Sequence, residues 1–487
     1  MMMATPRADN QIEEVEADLH EIQPVLEANE EIQIQPASTE FDDYSRYFDV
    51  DGRTKRKGTF WTATAHITTA VISLGGVLTL TWAMAQLGWI FGPIAMVLFT
   101  AVNCYTSILL THCYRRDESV TGRTNSYTYT DAVKSILGGR HVQICGLFQY
   151  LNICGIAIGF TIAASTSMMA IERTHCMHVA QAKDPCDVSG KSRMYMILFG
   201  LVEMVLSHLS NLNKVSWLSI IATIMSLIYS GIGLGLGMAK VAENGISKRS
   251  LTGISTDTIP RAQKIWKRLQ ALGAIAFAYS FSITLIEIQD TIKSPAEHNT
   301  MKRASVVSIV SVTAFYLLCG SIGYASFGDY APENLLAGFG SFYYDRLYWL
   351  VDIANLAVVV HLIGAYQVFS QPLLAFVENW VAHRWSGSEV FTEDGLSVFR
   401  PIWRTSFVVF TTCMAMAFPS FTYIIGTLGA FGFWSLAVYL PITMYLSEKK
   451  ILRWTRSWVG HQMLNGCVLM ISILAAIGTI VRSFDVN

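Results

Sequence analysis

The chain has 487 residues, of which 52% are hydrophobic and only 15% are charged. Soluble domains carry roughly 25% charged residues, so this composition excludes an ordinary soluble protein and predicts one that crosses a membrane several times. The formal net charge of −1 argues against a nucleic-acid-binding protein, because neutralising phosphates requires a clustered basic surface.

The first segment of the chain is strongly acidic. From Asp9 to Asp51 the sequence has fourteen Asp and Glu residues and one basic residue, Arg46. Residues 1–57 are therefore predicted to form a disordered tail in water. The tail lacks the basic start and apolar stretch of a signal peptide, so the first span is predicted to stay as an anchor of a membrane domain, residues 58–483.

Windows of about 20 apolar residues divide this domain into eleven candidate spans, which predicts an all-α integral membrane protein. The spans lie near residues 64–90, 91–113, 142–170, 194–210, 215–239, 271–293, 303–326, 347–379, 403–418, 421–446 and 459–482. Loops on the side of the amino terminus hold 20 Lys and Arg residues against 13 on the other side, which predicts a cytosolic amino terminus and an extracellular carboxyl terminus. The basic loop 240–268 is an exception, which an amphipathic helix lying on the membrane near residues 261–272 would explain.

Two of the spans are interrupted in their middle. Span one contains Ser73-Leu74-Gly75-Gly76, and span six contains Ala278-Tyr279-Ser280-Phe281-Ser282. A break leaves backbone N–H and C=O groups unpaired in hydrocarbon, so it persists only where a cavity, an ion or a ligand satisfies them. Breaks in spans one and six are typical of two five-helix halves related by an inverted repeat, with span eleven left over.

The two breaks predict a binding site for a small zwitterion. Free N–H groups at the first break and the start of the following half-helix offer partial positive charge to a carboxylate. Carbonyl and hydroxyl oxygens at the second break could accept hydrogen bonds from an ammonium. The candidate binding residues are Ser73, Leu74, Gly75, Gly76 and Val77 at the first break, and Phe277, Ala278 and Ser280 at the second. The alternative is that Gly75 and Gly76 only allow two helices to pack closely.

Polar side chains elsewhere in the spans are further candidates for this site. Tyr150 and Asn152 in span three and Asn355 in span eight could face a central cavity. Their periodicity does not orient them, because spans buried in a bundle are apolar all round.

Three ionisable residues within the spans are candidates for proton coupling, since such groups are usually functional in a membrane. Glu287 and Asp290 share a helix face, and they either form part of a proton path or pair with Lys293 or Arg303. His361 either titrates near neutral pH or only hydrogen-bonds a neighbouring helix.

Cys176 and Cys186 differ from the other seven cysteines because they lie in a polar loop. In an oxidising compartment they could form a disulfide. The alternative is a metal site that includes His175 and His178, but the spacing matches no strong zinc pattern, so no metal is predicted.

The sequence has no phosphate-binding loop, no GxSxG and no HExxH, so neither an enzyme nor a nucleotide-driven pump is predicted. No cofactor and no obligate protein partner are expected. Transport by this chain would draw on an ion gradient.

Six segments give the chain a clear resemblance to plant amino acid permeases of the amino acid/auxin permease family. They are RTKRKGTFWTATAHITTAVI, WAMAQLGWIFGP, YTYTDAVKSILGGRHVQICGLFQYLN, FAYSFSITLIEIQDTI, HLIGAYQVFSQP and YIIGTLGAFGFWSLAVYLPITMY. The resemblance implies eleven spans in a LeuT-type fold and proton-coupled uptake of amino acids at the plasma membrane. It implies that the breaks of spans one and six hold the substrate. The alternatives are an auxin or proline carrier of the same family, or an amino-acid sensor that does not transport.

Overall fold

The computed structural model describes residues 56–73, 76–118, 122–125, 128–180, 187–209, 216–245, 251, 253, 260–293, 297–343, 345–384, 393–418 and 420–485. The predicted acidic tail lies almost wholly outside these ranges, so its disorder and its boundary at residue 57 stay predictions.

The described chain is almost entirely helical. The helices are α1 Phe60–Ser73, α2 Gly76–Thr111, α3 Tyr129–Ile136, α4 Gly139–Val179, α5 Ser192–Leu209, α6 Ser216–Asn244, α7 Arg261–Ala278, α8 Leu285–Asp290, α9 Glu297–Phe327, α10 Leu335–Phe339, α11 Tyr348–Arg384, α12 Glu393–Ala417, α13 Phe421–Gly432, α14 Leu440–Glu448 and α15 Arg456–Asp485. A π-helix, Phe433–Tyr439, joins α13 to α14. The strands β1 Arg115–Glu118 and β2 Gly122–Asn125 form an antiparallel hairpin between α2 and α3.

Eight helical segments of the described chain are long and apolar enough to cross a membrane. They are Gly76–Thr111, Gly139–Val179, Ile220–Asn244, Arg261–Asp290, Glu297–Tyr330, Tyr348–Ala382, Phe421–Glu448 and Arg456–Arg482. The predicted spans four and nine correspond to α5 and α12, which are outside this set. The first predicted span is divided between α1, which has 14 residues, and the start of α2.

Helix α2 contains a sharp change of direction at Gly88. Its φ of 79° lies in the left-handed region, which glycine adopts at little cost. The predicted spans one and two therefore meet at this kink within α2, close to the predicted boundary at residue 90.

The prediction of a separate surface helix near residues 261–272 is wrong. Helix α7 runs without interruption from Arg261 to Ala278, and it packs against α2, α13 and α15. The sequence between these residues has no proline, and its single glycine, Gly273, is tolerated within the helix. Some of the basic residues of loop 240–268 therefore lie on the exposed first turns of a helix whose second half is buried.

The interior and the exterior of the bundle are both apolar. Buried apolar residues form one large cluster that extends through nearly all the helices. Large apolar side chains are also more than half exposed on the outside, among them Leu98, Leu147, Val205 and Met463. An apolar exterior of this extent fits a hydrocarbon environment, because soluble monomers rarely expose large contiguous apolar patches.

Candidate functional site

The two segments with predicted breaks meet in the centre of the bundle. Helix α1 ends at Ser73 and α2 begins at Gly76, while α7 ends at Ala278 and the chain resumes a helical course only at Ser282. A Cβ atom on Gly76 would lie 2.6 Å from Cβ of Ala278. The break that the sequence predicts in span six is confirmed, and the start of α2 packs directly against it. Leu74 and Gly75 lie outside the described residues.

Carbonyl groups at the helix ends around the breaks receive hydrogen bonds from other helices. The hydroxyl of Tyr316 on α9 donates to the carbonyl oxygen of Val71, in the last turn of α1, at 3.0 Å. Asn103 Nδ2 on α2 donates to the carbonyl oxygen of Tyr279 at 2.8 Å. The last carbonyls of a helix have no partner within it, so these side chains stabilise the interruptions.

Replacement of Tyr316 by Phe is expected to reduce amino-acid uptake several-fold while the amount of protein at the cell surface stays unchanged. The change removes the hydrogen bond from α9 to the Val71 carbonyl, which contributes about 0.5–1.5 kcal/mol. Tyr439→Phe is the matched control, because the Tyr439 hydroxyl makes no hydrogen bond within the described ranges. Equal uptake by the two variants would contradict this role of Tyr316.

A cavity of about 250 Å³ lies beside the breaks, between α1, α4, α6, α8 and α11. It is lined by His66, Thr69, Ala70, Gln149, Ile153, Ala222, Ile283, Thr284, Glu287, Ile288, Ala365, Val368, Phe369 and Pro372. Most of this wall is apolar, and a few polar groups converge on it from separate helices. This composition is typical of a small-molecule site.

Glu287 is the carboxyl group of this lining. Its side chain is exposed, and because α8 lies inside the bundle the exposure is to the cavity. Within the described residues the Glu287 carboxyl makes no hydrogen bond and no ion pair. A carboxyl group in this position can exchange a proton with water, or form an ion pair with a ligand that enters the cavity.

The half-helices α1 and α8 are joined at their outer ends. Gly58 N donates to the carbonyl oxygen of Thr291 at 3.0 Å, and Lys293 N donates to the carbonyl oxygen of Gly58 at 3.0 Å. A Cβ atom on Gly58 would collide with the Thr291 carbonyl, so this close approach of two backbones requires glycine. The two half-helices that flank the cavity are therefore connected by backbone hydrogen bonds.

A cluster of side chains around Arg482 connects four helices on the other side of the breaks. Arg482 Nη1 on α15 donates to Gln270 Oε1 on α7 at 2.6 Å. The Arg482 guanidinium carbon also lies 5.9 Å from the ring centre of Trp82 and 5.6 Å from that of Tyr423. This cluster joins α2, α7, α13 and α15 beyond the point where α2 begins.

Glu333, in the segment between α9 and α10, lies near the same cluster. It forms a hydrogen bond with Thr422 and interacts with the charges of Arg482 and Lys267, all of which favour the carboxylate. Burial outweighs these contributions and raises the pKa of Glu333. Glu333 is therefore protonated at mildly acidic pH more often than an exposed glutamate.

Comparison with known proteins identifies the family. The family model described as "Transmembrane amino acid transporter protein" matches residues 56–484. The chain belongs to this family. The family consists of transporters and not of enzymes, which confirms the prediction from the sequence that the chain is not an enzyme, and the resemblance to amino acid permeases is confirmed as well.

Individual relatives are similar in sequence to this chain over most of its length. Amino acid permease 2 of Arabidopsis thaliana is 54% identical over 446 residues, 89% of this chain and 89% of that protein. Amino acid permease 4 of the same plant is 53% identical over 89% of this chain and 94% of its own length. A solved structure, MhsT in complex with L-phenylalanine, superimposes with a TM-score of 0.49 at 13% identity, covering 84% of this chain and 98% of that one.

The site residues predicted at the two breaks lie outside the lining of the cavity. Val77, Phe277, Ala278 and Ser280 are buried at the breaks, and Ser280 Oγ donates to the carbonyl oxygen of Ala276 at 2.9 Å. None of the four is in the cavity lining. The structure does not describe the side chain of Ser73, nor the residues Leu74 and Gly75.

Three predicted polar residues do not line the cavity. Asn152 instead lines a separate pocket between α4 and α13, and the ring of Tyr150 lies 4.6 Å from that of Phe376. Asn355 is buried, and its Nδ2 donates to the carbonyl oxygen of Val351 one turn earlier on α11. On α4 the cavity is lined by Gln149 and Ile153 instead.

The other two proton-coupling candidates have hydrogen-bond partners. The Tyr114 hydroxyl donates to Asp290 Oδ1 at 2.8 Å. His361 is buried, and its Nδ1 donates to the carbonyl oxygen of Ala222 at 2.7 Å. Since Ala222 lines the cavity, His361 lies directly behind the cavity wall and does not face the cavity itself.

Cys176 is disulfide-bonded, so it offers no thiolate to a metal ion. The ring of His178 is stacked on that of Tyr348, with the ring centres 3.9 Å apart. Cys186 lies outside the described residues, and its pairing with Cys176 stays a prediction.

Several polar residues that line the cavity are not among those predicted from the sequence, namely His66, Thr69, Gln149 and Thr284. Gln149 is oriented by Thr130, whose hydroxyl donates to Gln149 Oε1 at 3.0 Å and leaves the amide N–H groups free to turn to other partners. His66 and Thr69 lie on one face of α1, within two turns of the predicted first break. This polar face is the sequence feature that would have indicated a cavity there.

Proposed function

We propose that the chain is a secondary active transporter that couples the entry of protons to the uptake of amino acids, mainly neutral ones, across the plasma membrane. One observation carries the proposal: the start of α2 meets the interrupted end of α7 at Gly76 and Ala278, beside a cavity lined by Glu287, whose carboxyl group has no partner among the described residues. Membership of the amino acid transporter family and relatives named amino acid permeases support the substrate class.

The substrate would bind with its charged groups at the breaks and its side chain in the cavity. The first N–H groups of α2 are not used within that helix and offer a carboxylate partial positive charge. Oxygen atoms after Ala278 are suited to an ammonium group. The apolar side chains of Ile153, Val368 and Phe369 then favour substrates with uncharged side chains.

Proton coupling would pass through Glu287. A neutral zwitterion carries no net charge, so the membrane potential does not drive it. A proton that accompanies it gains about 2.3 kcal/mol per 100 mV. Glu287 faces the cavity without a partner among the described residues, so it can bind and release this proton as access to the cavity changes.

Alternating access is consistent with an opening on one side of the breaks only. The cavity lies on the side of α1 and α8, whereas the cluster around Arg482 holds helices together on the other side. The full proposal assigns eleven spans in a LeuT-type arrangement of five plus five with an additional helix, a cytosolic amino terminus and an extracellular carboxyl terminus. In that orientation the cavity opens towards the cytosol. The proposal includes no cofactor and no obligate protein partner beyond the lipid bilayer.

The test is current recording in a heterologous membrane with a panel of amino acids and auxin at two external pH values. Neutral amino acids should produce inward currents that increase at acidic pH. Currents with proline alone, or with auxin alone, would indicate a selective carrier and contradict a broad transporter. Binding of amino acids without any current or uptake would contradict transport and favour a sensor.

A further inference from the structure

The loop between α14 and α15 concentrates positive charge. Lys449, Lys450, Arg453 and Arg456 lie within eight residues, and all four side chains are exposed. Within the described ranges none of them forms an ion pair. Four cations this close together repel one another, so an external anion would stabilise the loop.

Large apolar side chains lie among these cations. Leu452 is 75% exposed and Trp454 is 81% exposed, the largest exposed fraction of any large apolar side chain in the described chain. The ring of Trp458, on the first turns of α15, lies 5.3 Å from that of Trp454. Indole rings and cations side by side are the composition that favours the boundary between water and hydrocarbon.

The backbone of this loop is strained at two positions. Lys450 has a φ of 49° and Trp454 a φ of 66°, and these are the two non-glycine residues with positive φ among those that the structure describes. At Lys450 the loop caps α14, with Ile451 N donating to the carbonyl oxygen of Leu446 at 3.0 Å. Glycine is the preferred residue at such a cap, so a lysine there sacrifices stability while it adds an exposed charge.

A neighbouring helix contributes to the same face. Burial, together with the charges of His298, Lys449 and Lys302, lowers the pKa of His112, just after α2, to about 4. Lys449 of the loop and Lys302 of α9 therefore both lie near His112, which is itself neutral. The positive face extends from the loop to the first turns of α9.

The position of the loop follows from its connections. The segments Phe421–Glu448 and Arg456–Arg482 are both long and apolar enough to cross the membrane. Residues 449–455 join their ends, so the loop lies at the surface of the bilayer. Anionic headgroups are the anions present there at high density, and each nearby Lys or Arg adds to their binding.

We propose that residues 449–456, with Lys302, form a binding surface for anionic phospholipids, in which Trp454 and Leu452 enter the headgroup region while the basic side chains contact lipid phosphates. This surface is separate from the central cavity, and its occupancy does not depend on transport. In the proposed orientation it faces the cytosolic leaflet.

The experiment compares lipid binding to the purified full-length protein in detergent by native mass spectrometry. Phosphatidylserine and phosphatidylcholine with identical acyl chains are the two probes. The wild type should prefer phosphatidylserine. The double variant Lys450→Gln/Arg453→Gln should weaken phosphatidylserine binding by about fivefold for each cation removed and leave phosphatidylcholine binding unchanged.

The matched control removes two basic residues at the start of α7, Arg261→Gln/Lys264→Gln, and should keep the full preference. Equal preference in wild type and the loop variant would overturn the proposal. An equal loss of the preference for phosphatidylserine in the control would also overturn the proposal. Lipid binding would then depend on the total charge of the protein and not on this surface.

A second measurement reports on Trp454 in vesicles of phosphatidylserine and phosphatidylcholine that carry bromine near the headgroup end of the acyl chain. The difference in fluorescence between wild type and Trp454→Phe should be quenched by the bromine atoms. An unquenched difference would place the indole in water and overturn its insertion. Neither measurement requires transport, so a failure here leaves the proposed function unaffected.

Discussion

Amino-acid uptake is expected to fall to background in Gly76→Val, while the amount of protein at the cell surface stays normal. A Cβ atom at this position would lie 2.6 Å from Cβ of Ala278 and 3.5 Å from the Tyr316 hydroxyl. A side chain would therefore push the start of α2 away from the end of α7. Overpacking of this kind costs about 1–3 kcal/mol, and here the displacement falls on the backbone groups proposed to bind the substrate.

Gly466→Val is the matched control for this variant. Gly466 lies on α15, and a Cβ atom there would meet no atom within 4 Å. Uptake of a radiolabelled neutral amino acid, normalised to surface biotinylation, should be near the wild-type level in the control. Normal uptake by Gly76→Val would refute the site at the first break.

Glu287→Gln is expected to flatten the dependence of uptake on external pH and to reduce the current that accompanies it. Glutamine has nearly the same shape as glutamate but cannot bind or release a proton between acidic and neutral pH. The change removes the ionisable group of the cavity lining and keeps its hydrogen-bonding capacity. Uptake and current should be measured together at acidic and neutral external pH.

Glu203→Gln provides the control, because Glu203 is a second carboxyl group inside the bundle. It is fully buried, and its Oε2 accepts a hydrogen bond from Gln367 Nε2 at 2.7 Å. It does not line the cavity. The pH profile of Glu203→Gln should match the wild type. An unchanged profile in Glu287→Gln would clear Glu287 of a role in coupling.

The sequence alone determined the class of the protein and the break in span six. Long apolar windows can be recognised without neighbours, because a helix in hydrocarbon must satisfy its own backbone. The run Ala278 to Ser282 interrupts such a window, and the helix ends at Ala278 as expected. Leu74 and Gly75 lie outside the described residues, so the break in span one stays a prediction. The basic start of α7 has the sequence pattern of an amphipathic surface helix, although it continues into the apolar part of the same helix.

The tertiary structure decided which side chains reach the cavity. Helices α4 and α11 are apolar all round, so no periodicity indicated that Gln149 would line the cavity while Asn152, three residues later, turns to α13. The contact of Gly76 with Ala278 joins residues about 200 positions apart, which no local pattern encodes. Composition and breaks therefore identified a membrane protein with interrupted helices, whereas the identity of the cavity lining depended on how those helices pack.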